Sequence, residues 1–214
     1  MVEIEAWEGV ARAVHDATGI DAPVSAFELA AAYELRCLAD TRGTAYLDGQ
    51  DVHYDGQARL VRQHGMIAHE VAHYVLQLYG EDDPEPAARY TAGALMLPRA
   101  IFDRDVRSTA WDLEQLRRRH PNTSAEMLAR RLTQVREAVV TVLDEGRVTR
   151  RISSPWLPGP PRRPTPVELD LADAALESGE PQRANDLMAA YPLFDGSHRR
   201  VIVVAELRQL SFRI

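Results

Sequence analysis

The sequence predicts an α+β protein: a mostly helical core with a small β-hairpin or sheet, a helix-turn-helix-like helical pair, and a small C-terminal α+β annex. Three stretches carry that expectation. GMIAHEVAHYVLQLYG (65–80) spaces Met66, Ile67, Val71, Tyr74, Val75 and Leu78 as a mostly buried helix does. TAYLDGQDVHYDG (44–56) sets two Asp-Gly turn signals among short strand-like pieces. Far downstream, VVTVLDEGRVTRRI (139–152) reads as a hairpin and VIVVAEL (201–207) as a strong strand.

In chain order, residues 1–105 form the core. Ile4 to Ala17 repeats apolar residues at helical spacing and stops at Gly19. Ala22-Pro23 opens a second helix, through Phe27, Leu29 and Tyr33 to Leu38, which puts Cys37 on a helix as a small buried thiol. The 44–54 hairpin comes next, then the 65–80 helix. Glu81-Asp82-Asp83-Pro84-Glu85-Pro86 leads into AARYTAGALMLP. Pro84 and Pro86 suit the first turn of a new helix there, with Asp82 or Asp83 as N-cap. Its small residues Ala87, Ala88, Ala92, Gly93 and Ala94 would let it lie close against the preceding helix.

Residues 106–137 form the helical pair. One helix begins at Trp111-Asp112-Leu113, the Pro121-Asn122-Thr123-Ser124 turn breaks it, and Ser124 caps a second over AEMLARRLTQVRE. Residues 138–214 form the annex. They comprise the 139–152 hairpin, a Pro-rich connector over 155–166, helices near 166–178 and 181–190, and the 201–207 strand.

Composition bounds the function. The net charge of −7 argues against a dedicated nucleic-acid binder. All 25 basic residues are Arg, so runs of Arg carry less meaning than usual. Residues 104–163 nevertheless hold 13 Arg against 7 acidic residues, a local +6 that leaves −13 for the remainder. Arg117, Arg118, Arg119, Arg130, Arg131 and Arg136 open three uses: structural support, docking of an acidic partner, and contact with DNA. One cysteine excludes a disulfide framework or thiolate cluster. The acidic N-terminus lacks the features of a signal peptide, and no stretch reaches the ~20 apolar residues needed to span a bilayer, so a cytoplasmic location is expected.

The chemistry sits in His69-Glu70-Val71-Ala72-His73. Residues four apart share a helix face, so two imidazoles at this spacing can grip one zinc ion (Zn2+), with Glu70 close enough to work on a water there. Glu70 is the lone acidic residue of the 65–80 run, and a carboxylate on a mostly buried helix is costly without a compensating cation or proton. A catalytic zinc needs a third protein ligand. Glu85, at the start of the next helix, is the first choice; Glu81, Asp82 and Asp83 are the alternatives. If the first helix ran unbroken to Tyr79, antiparallel packing would leave Glu85 about 9 Å above His73. That helix is therefore expected to end early, or the 77–84 segment to fold back.

The stretch Arg62–Pro98 resembles the ImmA/IrrE family of metallopeptidases. That family shows an R-x-R-F-T-x-A-H-E-x-x-H block followed by E-x-x-A-x-x-F-A-x-x-L-L-M-P. Here Glu85, Ala88, Ala92 and Leu95-Met96-Leu97-Pro98 fall into the second block. Gly65-Met66 replaces the usual Phe-Thr, and Thr91 the usual Phe, so packing around the helix must differ. The resemblance implies a zincin-like metallopeptidase core, with His69, His73 and Glu85 as zinc ligands and Glu70 as catalytic base. Tyr90, His53, Tyr54 and His64 are candidates for a second oxyanion donor, Tyr90 foremost. The edge strand of the 44–54 hairpin is the place to seek substrate held by strand addition. The implied substrate is a helix-turn-helix repressor of a mobile element or stress regulon. Two rivals stand beside it: a non-cleaving regulatory protein that keeps the zinc fold and binds a partner or DNA, and a toxin or effector peptidase with another target.

Overall fold

The structure, a computed structural model, describes residues 2–81, 84–157, 163–195 and 198–207. Asp82 and Asp83, and residues 158–162 of the Pro-rich connector, lie outside the described residues. The fold is α+β, in two compact units, Met1–Leu128 and Ala129–Ile214.

In the first unit, α1 (Val2–Thr18) buries Val10, Ala11 and Val14 along one stripe. α2 (Ala26–Ala32) is shorter than its sequence suggests. Leu35 N–H returns to Ala30 O at 2.9 Å and Glu34 N–H to Ala31 O at 3.0 Å, with Glu34 at φ 57°. This is a Schellman stop with a glutamate where glycine is usual, so the helix ends before Leu38. The freed residues form an unexpected strand, β1 (Arg36–Asp40), and Cys37 lies half-buried on it rather than on a helix.

The expected hairpin is present as β2 (Tyr46–Asp48) and β3 (Asp51–Asp55), antiparallel; β1 pairs parallel to β3, so the order β1-β3-β2 leaves β2 at an edge. α3 (Leu60–Leu78) packs against α2 and β3, with Ile67, Ala68, Val71, Ala72, Val75 and Leu76 all fully buried. It does not end early. The chain reverses just beyond it, with Gly80 at φ 73° and Glu81 N–H bonded to Leu76 O at 2.9 Å.

α4 (Glu85–Met96) takes Pro84 as N-cap and carries Pro86 in its first turn. Its small residues Ala87, Ala88, Ala92 and Ala94 are buried, and it packs on α3 and α1. Thr91, the substitute for an aromatic residue, is fully buried with its hydroxyl lacking a hydrogen-bond partner. α5 (Arg99–Ser108) has no counterpart in the sequence reading. α6 (Leu113–Arg119) starts one residue past the Asp112 N-cap, whose side chain accepts from Gln115 N–H at 2.9 Å. α7 (Ala125–Val135) is capped as expected by Ser124, which accepts from Met127 N–H at 3.2 Å.

Among its described residues, the second unit contains a five-stranded antiparallel sheet with a helix on one face. Its strands are β4 (Ala138–Asp144), β5 (Arg147–Ser153), β6 (Gln182–Asn185), β7 (Met188–Asp195) and β8 (His198–Glu206), in the order β5-β4-β8-β7-β6. Glu145 and Gly146, at φ 50° and 74°, make the two-residue turn of the first hairpin, whose chirality suits the strand twist. α8 (Pro166–Ser178) opens with a capping box between Thr165 and Glu168 and closes at Gly179. Its Ala172 and Ala175 pack against Leu143, Ala190, Val201 and Val203 of the sheet.

The helix expected near 181–190 is instead β6, a turn and the start of β7. Leu187 N–H bonds the Asn185 side chain at 2.7 Å, which turns the chain. Ala189 and Ala190 then pair with Val204 and Val203 of the Val-rich β8. Tertiary pairing overrides the helix propensity of alanine.

Candidate metal centre

α3 presents His69 and His73 one turn apart, their Nε2 atoms 3.3 Å from each other and their rings at 88°. Glu85, in the first turn of α4, brings Oε2 to 3.2 Å from His69 Nε2 and 3.6 Å from His73 Nε2. Among the described residues this is the His/Glu group able to hold a metal ion. The reach that sequence spacing put in doubt is made by the reversal at Gly80 and by the length of the side chains. Glu81 does not join the group.

The donor set fits zinc. Tetrahedral zinc with nitrogen and carboxylate ligands at ~2.0–2.2 Å holds neighbouring donor atoms roughly 3.3–3.5 Å apart. The three observed separations, 3.2, 3.3 and 3.6 Å, match that triangle. Burial pushes the His69 imidazole below its ordinary pKa, against the opposing pull of the Glu85 carboxylate, which favours the neutral form that ligates metal. Burial alone would push the Glu85 carboxyl up, but the hydrogen bond from Arg89, His69 and the Arg89 charge together bring it below the ordinary value. Arg89 NH2 donates to Glu85 Oε1 at 2.5 Å.

Glu70 is only 7% exposed. Burial raises its pKa, assisted by the Glu85 charge and opposed by His73 and by a hydrogen bond from the Leu47 backbone N–H. Leu47 lies on edge strand β2, one residue inside the closing Asp48–Asp51 pair of a two-residue hairpin turn. Alternation along such a hairpin turns the Leu47 N–H away from β3, and it is this outward edge that meets Glu70.

The other candidates make packing contacts within the first unit. The Tyr90 hydroxyl donates to the buried Glu8 of α1 at 2.8 Å and its ring lies 5.5 Å from Trp7, so its one O–H is used in helix packing rather than held towards a substrate. His64 Nδ1 accepts from Ala26 N–H at 3.1 Å. Tyr54 meets the edge of Phe27, and His53 stacks on Tyr46 with centroids 4.4 Å apart. In the basic segment, Arg119 is bonded to Asp105 and Ser108, and Arg131 is 1% exposed and donates to Gln134. Two participants escaped the sequence reading: the Leu47 N–H, which has no side-chain signal, and Arg89. The latter was legible in principle, because it stands four residues after Glu85 on one helix.

Comparison with known proteins adds a family and a fold. The family model described as the IrrE N-terminal-like domain matches residues 27–133, from α2 into α7. No curated protein matches the chain by sequence. Among solved structures, a Mycobacterium tuberculosis transcriptional regulator is similar, with a TM-score of 0.70 at 16% identity, covering 94% of this chain and 76% of that one. At that identity the likeness concerns the fold. No helix among the described residues is long and apolar enough to cross a membrane.

Proposed function

This chain belongs to the IrrE N-terminal-like family, whose model spans half of it, and we propose that it is a zinc-dependent endopeptidase of narrow specificity that cleaves a helix-turn-helix repressor. The observation that carries the reading is the convergence of His69, His73 and Glu85 around one point, with the buried Glu70 beside them. When bound, zinc supplies Lewis-acid polarisation of a peptide carbonyl and lowers the pKa of water towards ~7.

The remaining steps belong to the chain's own residues. His69 and His73 contribute imidazoles and Glu85 one carboxylate oxygen. Glu70 accepts the proton of the attacking water and returns it to the leaving amine. The Leu47 N–H fixes the orientation of that carboxylate. The substrate runs along edge strand β2, held through edge groups other than the Leu47 N–H. A repressor as substrate is what the family resemblance implies, and the similar fold of a transcriptional regulator accords with a regulatory role.

That same likeness favours a second reading, a zinc-fold regulator that binds a partner or DNA and cleaves nothing. A toxin or effector peptidase with another target would keep the chemistry and change the substrate, and a neighbouring repressor gene would argue against it. Elemental analysis should find about one zinc per wild-type chain and only background in Glu85→Ala with unchanged circular dichroism. Cleavage assays on candidate repressors, with Glu70→Gln as control, then separate the readings. A wild-type protein offered zinc that binds none would sink the peptidase proposal. Full activity of Glu70→Gln in cells would favour the non-cleaving regulator.

A further inference from the structure

We propose that Arg89 is a positioning residue of the metal centre, tying down Oε1 of Glu85 so that Oε2 alone faces His69 and His73. The inference rests on the zinc reading of that cluster. Arg89 lies one turn after Glu85 on α4, and its guanidinium holds Oε1 at 2.5 Å while Oε2 sits 3.2 and 3.6 Å from the two imidazoles. The two oxygens of one carboxylate thus have separate tasks.

The pair is half-exposed, with side chains 53% and 54% accessible, and an exposed ion pair of this kind contributes little to folding. Its consequence is local. Glu85 stands in the first turn of its helix with more than half its side chain in solvent, so without a second anchor it can rotate away or offer both oxygens at once. Two oxygens on the metal would fill the position a hydrolytic site keeps open. Hydrogen-bond partners of metal-binding carboxylates commonly change metal affinity by roughly 10–100-fold.

An opposing effect gives the test its edge. A guanidinium near a dication repels it, so an Arg89 that acted by charge alone would weaken zinc binding, and its removal would tighten it. Screening by solvent blunts this repulsion at an exposed site; anchoring therefore dominates.

The experiment is a chelator competition for zinc on wild type, Arg89→Ala and Arg89→Lys. The visible spectra of the cobalt-substituted proteins are recorded alongside. Arg89→Ala should bind zinc about 10-fold more weakly or worse, and its cobalt bands should lose the intensity typical of four-coordination. Arg89→Lys, which keeps an (i, i+4) donor, should recover most of both. Zinc binding by Arg89→Ala equal to or tighter than wild type, with an unchanged cobalt spectrum, overturns the proposal and leaves the zinc site standing. Wild-type protein that binds no zinc, or binds it undiminished in His73→Ala, overturns the site and this inference together.

Discussion

Each unit of the molecule buries a glutamate on a helix, and the two have opposite fates. Glu168 of α8 is 3% exposed and meets Arg151 twice, at 2.6 and 3.0 Å, while Thr141 and Thr165 bond the same carboxylate. Burial pushes its pKa up, but Arg151 and Thr165 together outweigh burial and the result lies below the ordinary value. Glu70 of α3 is buried nearly as well, yet its supports are a single backbone N–H and the neighbouring His73, and its pKa moves up. Equal burial with a facing guanidinium makes a structural strut. Without one, burial leaves the carboxyl pKa raised. The partner each carboxylate meets, rather than residue type or burial, separates the two.

The sharpest way to break this contrast is to make the same substitution at both places. Glu70→Gln should lower repressor cleavage by about 10²–10⁴-fold, the usual contribution of a general base, while zinc content and the melting curve stay close to wild type. Glu168→Gln should leave zinc content unchanged and destabilise the second unit by about 3–5 kcal/mol, because the buried Arg151 then loses the charge of Glu168. Hydrogen exchange at the β4 and β8 amides reads that loss in the unit concerned. If Glu168→Gln instead abolished zinc binding and left those amides protected, the division of labour drawn here would be wrong.

A pH titration sharpens the comparison further. The folded pKa of Glu168 lies below the ordinary 4.5, so its ionised form is the one the fold favours. Its contribution is therefore whole above the unfolded value and is lost as pH falls through the folded one. As pH falls below the ordinary carboxylate range, protection of β4 and β8 in the wild type should decline with a component that Glu168→Gln lacks. Parallel declines in the two proteins would assign the acid sensitivity to other carboxylates.

The sequence made parts of this molecule easy to read, for physical reasons. The α3 helix, the β2–β3 and β4–β5 hairpins, α8 and the β8 strand all carry strong local signals, and local signals coincide with the fold there. The two histidines were legible because helix geometry alone puts positions 69 and 73 together. Glu85 was harder. Its closeness to them depends on how the chain turns at Gly80 and on side-chain reach, neither of which residue spacing records. The Leu47 N–H was illegible, since a backbone donor leaves no trace in residue identity. The 181–190 segment misled because Ala189 and Ala190 favour a helix locally while β8 offers them a partner strand that no local window contains.

The false extension of α2 has the same origin and yields the smallest prediction. Both α2 and α3 stop with the same pair of returning hydrogen bonds, but α3 places Gly80 at the left-handed position and α2 places Glu34 there, at φ 57°. Glycine announces such a stop in sequence; glutamate, a good helix former, conceals it. The left-handed conformation costs an L-residue roughly 1–2 kcal/mol, and glycine escapes this while adding entropy to the unfolded chain. Glu34→Gly should therefore stabilise the first unit by about 0.5–1 kcal/mol, read as a small rise in the denaturant midpoint with an unchanged slope. A lower midpoint would mean that the Glu34 side chain stabilises the α2–β1 turn by more than its backbone conformation costs, and the strain argued for this residue would have to be abandoned.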